Sequence, residues 1–246
     1  MKIFGDGSLG GHTAAMHEPF ADLDTTGQLR FDVATSRPLV EAALALGGVV
    51  AIHAIGDRAN AEVLDFYGDL INRGADPSRL RIEHASILGP EEVATFARLG
   101  ITASVQPAFM ASETAWLEKR VGAGRLSQCY PFRKLLDAGV PMAGGSDCPV
   151  EPPHPLPGMA TARDRCGIVP EESLTAAEAL ALFTSGAARS LLEPEPLAVG
   201  SPADFVVLDV DPLVATPDEL RAARVLATYV GGELVELPEE ILTWQG

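Results

Sequence analysis

Three short apolar runs in this chain each end on a residue able to hold a metal ion or move a proton. They are Val49-Val50-Ala51-Ile52-His53, Leu80-Arg81-Ile82-Glu83-His84 and Val140-Pro141-Met142-Ala143-Gly144-Gly145-Ser146-Asp147. Each has the length of a strand, and each opens into a loop at its C-terminal end. Buried parallel strands read this way. Strand and helix signals alternating every ~20 to 40 residues imply a parallel α/β sheet. Two His and one Asp at three strand ends predict one metal site at the C-terminal mouth of a barrel.

The rest of the chain fits around these strands. Met1 to Phe4 reads as a strand remnant running into the loop Gly5-Asp6-Gly7-Ser8-Leu9-Gly10-Gly11, whose glycines permit close backbone approach. Ser36 is the expected cap of a helix from Arg37 to Leu46, and Gly47-Gly48 stops it. Further helices are predicted from Arg58 to Asn72, Pro90 to Leu99, Phe132 to Ala138 and Ala176 to Phe183, with Thr175 capping the last. Ile101 to Val105 is a strand, and 106–130 and 149–157 read as loops. Past Gly200-Ser201-Pro202, strands over 204–209, 225–230 and 233–237 form a small antiparallel unit. The expected organisation is a barrel portion over 1–195 and part of a small β-sandwich over 196–246.

Alternation along the strands sorts their faces. It sets His53 with Ala51, and His84 with Ile82, while Arg81 and Glu83 share the opposite, outer face, where they can pair. His12, His17 and His154 lie in loops and read as solvated or substrate-facing. Asp57 and Arg58 follow His53 at the same mouth, and Asp57 is equally readable as a helix cap. Cys148 lacks the His/Asn partners of a thiol nucleophile.

Composition narrows the function. A net charge of -16 with only three lysines repels phosphate backbones and anionic lipid, so neither nucleic-acid nor membrane binding is expected. No apolar run approaches the roughly 20 residues of a membrane span, and no signal peptide is evident, so the cytoplasm is the expected location. The three cysteines match no metal or disulfide spacing.

Four motifs now line up in order. Lys2-Ile3-Phe4-Gly5-Asp6-Gly7-Ser8-Leu9-Gly10, followed by Thr13-Ala14-Ala15, resembles the fourth-strand motif of the amidohydrolase superfamily, in its YtcJ-like branch. His53-Ala54-Ile55-Gly56-Asp57, Arg81-Ile82-Glu83-His84-Ala85-Ser86 and Gly145-Ser146-Asp147-Cys148-Pro149-Val150-Glu151 resemble its fifth, sixth and eighth strand ends. Ser201-Pro202-Ala203-Asp204-Phe205 resembles the return into its small β-sandwich. The resemblance implies a (β/α)8 barrel that binds one or two divalent metals, usually zinc, and hydrolyses C–N bonds of a small amide substrate. It implies His53, His84 and Asp147 as ligands, with Asp147 also the general base. Lys2 matches a lysine that is carboxylated in related members and bridges two metals. His12 and His154 stand where Arg and Asn are more frequent, and with Asp57 and Arg58 they are the expected substrate contacts.

One part of the pattern is absent. The His-x-His of the family's first strand occurs nowhere in this sequence, and about five strands are readable where the barrel needs eight. The expectation is therefore the C-terminal portion of such an enzyme. It is either a hydrolase completed by an upstream segment or an inactive fragment or subunit. Bare parallel edges recruit other chains, so self-association is expected of it alone.

Overall fold

The computed structural model of the protein describes residues 1–235. Among these, five strands form one parallel sheet in sequence order: β1 (Lys2–Phe4), β2 (Val50–Ala54), β3 (Leu80–His84), β4 (Thr102–Val105) and β5 (Met142–Gly144). Helices α1 (Val33–Ala45), α2 (Asp57–Asn72) and α3 (Pro90–Leu99) fill the first three crossovers. The fourth carries α4 (Ala108–Glu113), α5 (Leu117–Val121) and α6 (Phe132–Asp137). Beyond β5 come α7 (Pro155–Asp164), α8 (Ala176–Phe183) and α9 (Ser185–Ser190). This is the architecture of part of a (β/α)8 barrel. A three-stranded antiparallel sheet follows, built of β6 (Phe205–Leu208), β7 (Val225–Val230) and β8 (Glu233–Leu234), with α10 (Pro217–Ala222) between β6 and β7. The expected strand 233–237 is described only to residue 235, and residues 236–246 of the small unit lie outside the described residues. No helix among the described residues is long and apolar enough to cross a membrane.

Local chemistry explains the boundaries. α3 starts on Pro90 after Gly89 and stops at Gly100, whose φ of 68° suits glycine. α8 opens on a capping box, in which Thr175 and Glu178 satisfy each other's backbone N–H groups. α1 begins four residues earlier than expected. Asp32, not Ser36, is its cap, accepting the Thr35 N–H at 2.8 Å. The stretch 106–130 is not a bare loop but carries α4 and α5, and α7 begins inside the expected loop 149–157.

The register of the sheet defines two unlike faces. Val50, Ile52, Leu80, Ile82, Ala103 and Val105 are fully buried on the side covered by helices. Burying each large aliphatic side chain there contributes ~1.5–3 kcal/mol. On the other face the register aligns Phe4 with His53, His53 with Glu83, and Glu83 with Ser104. Lys2, Ala51, Arg81 and Thr102 form a second row of that same face. Arg81 and Glu83 do pair, Nε to Oε1 at 2.7 Å. Their face, however, is the inner one shared with His53, not the outer one expected from alternation.

Two glycines let the strand ends pack. The Gly5 N–H donates to the His53 carbonyl at 2.7 Å, and a Cβ on Gly5 would lie 2.4 Å from that oxygen. At Gly56 a Cβ would lie 2.0 Å from the Ala15 carbonyl oxygen. Overpacking of this kind costs ~1–3 kcal/mol. Gly56→Ala is therefore expected to lower the unfolding free energy by that amount, read as a lower denaturant midpoint at an unchanged m-value in equilibrium unfolding.

Candidate functional site

All five strands are parallel, so their C-terminal ends lie on one rim, and His53 and His84 end adjacent strands there. By register His84 is aligned with Ala54, on the helix-facing side of the sheet. The backbone departs from the strand at this point, with φ of 79° at His84 and 45° at Ala85. Left-handed conformations in non-glycine residues cost ~1–3 kcal/mol and persist where surroundings hold them. This turn brings the His84 ring to 4.4 Å from that of His53, centroid to centroid, at 69°. Asp147, also left-handed with φ of 54°, sets Oδ2 at 4.0 Å from His84 Nε2.

His84 is 2% exposed, and among the described residues neither of its ring nitrogens has a hydrogen-bond partner. Burial first, then the neighbouring charges of His53 and Lys2, push its pKa down to about 3. The imidazole is thus neutral at physiological pH, which is the form that donates to a metal. Phe109 of α4 stacks on it at 5.8 Å and walls off one side. An unpartnered buried polar atom costs about 1–3 kcal/mol, and an ion bound at this ring removes that penalty. Two imidazoles and a carboxylate are also the right chemistry for zinc. The donor set fits a divalent ion, though among the described residues no three His, Cys, Asp or Glu side chains form a closed ligand cluster. His53, His84 and Asp147 approach one another in pairs.

The other expected residues divide. Lys2 Nζ lies 5.5 Å over the exposed ring of Phe4, which itself packs at 5.3 Å against His53, and the Lys2 charge acts on His84. Asp57 accepts the N–H groups of His17 and Arg58, at 2.9 and 2.8 Å, so it acts as a clamp on loop and helix. Arg58 is exposed beside it. His12 sits 2.9 Å from the Asp22 carboxylate, which Arg120 also engages at 2.9 Å, tying the loop after β1 to α5. His154 caps α7, its Nδ1 accepting the Leu156 N–H at 3.3 Å, and burial lowers its pKa.

Two groups at the mouth were not foreseen. Asp6, between two glycines, is a buried carboxylate whose Oδ1 lies 3.2 Å from His53 Nε2. Its signal in the sequence is slight: an acidic residue in a loop that otherwise reads as glycine-rich. Glu113, at the end of α4, has its carboxyl pushed up to about 7 by burial. Tyr130 opposes this by donating its hydroxyl at 2.5 Å, and the nearby Glu151 reinforces it.

The chain is similar to known proteins along most of its length. The sequence profile described as "Amidohydrolase family" matches residues 1–236. Putative amidohydrolase YtcJ of Bacillus subtilis (strain 168) is 35% identical over 96% of this chain and 46% of its own length. The N-substituted formamide deformylase of Arthrobacter pascens is 34% identical over 77% of this chain and 36% of its own. An uncharacterized metal-dependent hydrolase from Pyrococcus horikoshii OT3 superposes with a TM-score of 0.79 at 34% identity, over 89% of this chain and 46% of that one. The chain thus spans less than half the length of the relatives it matches.

Glu113 has a folded pKa above the 4.5 of an ordinary glutamate, so it contributes stability below pH 4.5 that is lost as pH rises through about 7. Glu113→Gln is expected to flatten that slope and to be the more stable form at pH 8, by ~1–3 kcal/mol. Denaturant unfolding at pH 5 and pH 8 measures both.

Proposed function

Because the chain belongs to the amidohydrolase family, we propose that it carries the zinc-ligating and proton-transferring side chains of a hydrolase that cleaves the C–N bond of an amide-type substrate. The observation that carries this reading is the pair of strand-end imidazoles, one with both nitrogens unpartnered among the described residues, beside a carboxylate on the same rim. His53, His84 and Asp147 are the residues that would hold the ion. A bound divalent cation supplies Lewis-acid polarisation of the carbonyl and lowers the pKa of water towards ~7. Lys2 would serve a second ion only in its carboxylated form.

Asp147, whose side chain is 34% exposed, is placed to reach both His84 and solvent at the mouth. Its carboxylate accepts a proton from the attacking water and returns it to the leaving nitrogen as the C–N bond breaks. Phe109, stacked over His84, limits water around the reacting carbonyl. The formamide-cleaving relative supports a small substrate whose substituted nitrogen is the leaving group. Three free cysteines suit a reducing compartment such as the cytoplasm.

A second reading, favoured by the incomplete convergence of donors among the described residues, is a catalytically inactive fragment or subunit of such an enzyme that needs an upstream segment for metal binding. Metal stoichiometry of the chain by itself separates the two, near one zinc per chain for the first and well below it for the second.

His53→Ala/His84→Ala is expected to abolish zinc retention after dialysis, measured by elemental analysis. Metal content equal to that of the unsubstituted protein would overturn the ligand assignment. In the hydrolytically competent protein, Asp147→Asn is expected to reduce kcat by about 10²–10⁴-fold while zinc content and thermal unfolding persist. Undiminished turnover would remove Asp147 from the proton path.

A further inference from the structure

Asp6 is 1% exposed and gathers donors from two distant segments. Its Oδ2 accepts the Ala15 N–H at 2.9 Å and the Gly56 N–H at 2.8 Å, while Oδ1 accepts the Ile55 N–H at 3.0 Å. Oδ1 also lies 3.2 Å from His53 Nε2. Bonds from N–H groups to an ionised carboxylate are roughly twice as strong as neutral ones. Ile55 and Gly56 begin the exit from the strand that carries His53. One carboxylate therefore touches the imidazole, fixes the backbone that follows it and ties both to the loop at Ala15.

The next residue completes the arrangement. The Gly7 carbonyl oxygen lies 2.8 Å from the same Nε2. Asp6 holds the β1 exit against the β2 exit, and so determines where that carbonyl sits. Both neighbours of Nε2, a carboxylate and a carbonyl, are acceptors with no proton to give. A neutral imidazole between them carries its proton on Nε2 and its lone pair on Nδ1. Carboxylates and carbonyls behind a coordinating histidine select the tautomer in this way.

We propose that Asp6 is a positioning residue of this site, holding His53 as the Nε2–H tautomer so that Nδ1 is its coordinating atom. The coordinating role rests on His53 being a metal ligand, whereas the tautomer does not. A clamp that only joined two loops would leave the tautomer indifferent to Asp6. Asp6→Asn keeps the size of the side chain but adds an amide donor, which favours the proton on Nδ1.

The test uses the 246-residue chain with ¹⁵N-labelled histidine and long-range ¹H–¹⁵N correlation at pH 8, alongside zinc titration. The expected result is His53 as Nε2–H in the unsubstituted chain, a shift towards Nδ1–H in Asp6→Asn, and zinc affinity weakened about 10–100-fold. His53 found as Nδ1–H in the unsubstituted chain would overturn the proposal. So would Asp6→Asn with both tautomer and affinity unchanged. Should Asp6→Asn not fold, Asp6→Glu, which keeps the charge and displaces it, is expected to lower the Nε2–H fraction without inverting it and to weaken zinc affinity, and no change in either measurement would overturn the proposal. A tautomer that depends on Asp6 in a chain that binds no zinc supports the positioning role and counts against the metal reading alone.

Discussion

Parallel pairing of β1 to β5 in sequence order is the constraint on which the rest depends. Because every strand runs the same way, every crossover returns beneath the sheet and every strand end opens on the same rim. Residues distant in sequence, Asp6, His53, His84, Phe109 and Asp147, then become neighbours without any of them having to reach. The helices supply the apolar cover that such a sheet requires, and the fully buried Val, Ile and Leu of the helix-facing side anchor the ladder.

The inner face is built differently. It carries Lys2, His53, Arg81, Glu83, Thr102 and Ser104 in two registered rows, a polarity that a sheet covered by helices on both sides would not tolerate. Arg81 and Glu83 neutralise each other there, and the guanidinium also donates to the Ser190 carbonyl at 3.2 Å. Removing either partner would leave the other charge in a largely desolvated place, which is costly. Phe4, at the outer strand of the same face, is 59% exposed. The inner face thus grades from a polar, partly covered centre to an open edge at β1.

Much of this was legible in the sequence because it follows from short-range rules. Strand-length apolar runs, Pro90 opening α3 and Thr175 capping α8 are local signals, and each corresponds to the observed element. The histidines and Asp147 were legible as strand ends. What was not legible depends on departures from regular backbone. Alternation assumes that a strand stays a strand to its last residue, but the left-handed turn at His84 and Ala85 carries no glycine or asparagine to announce it. Extending alternation through that turn assigned Arg81 and Glu83 to the wrong face. Asp6 was missed for another reason: most of its partners are backbone N–H groups, which no side-chain pattern records. The Lys2 ammonium lies over Phe4, a cation on an aromatic face that its match by position does not announce.

We propose that the turn at His84 makes the ends of two adjacent strands into one coordinating unit with Asp147. An anomalous difference map from crystals of the zinc-loaded protein, recorded above and below the zinc edge, tests it most directly. The expected result is a peak bonded to both His53 and His84 and adjoining the Asp147 carboxylate. A peak that engages only one of the imidazoles, or that lies away from this rim, would contradict it.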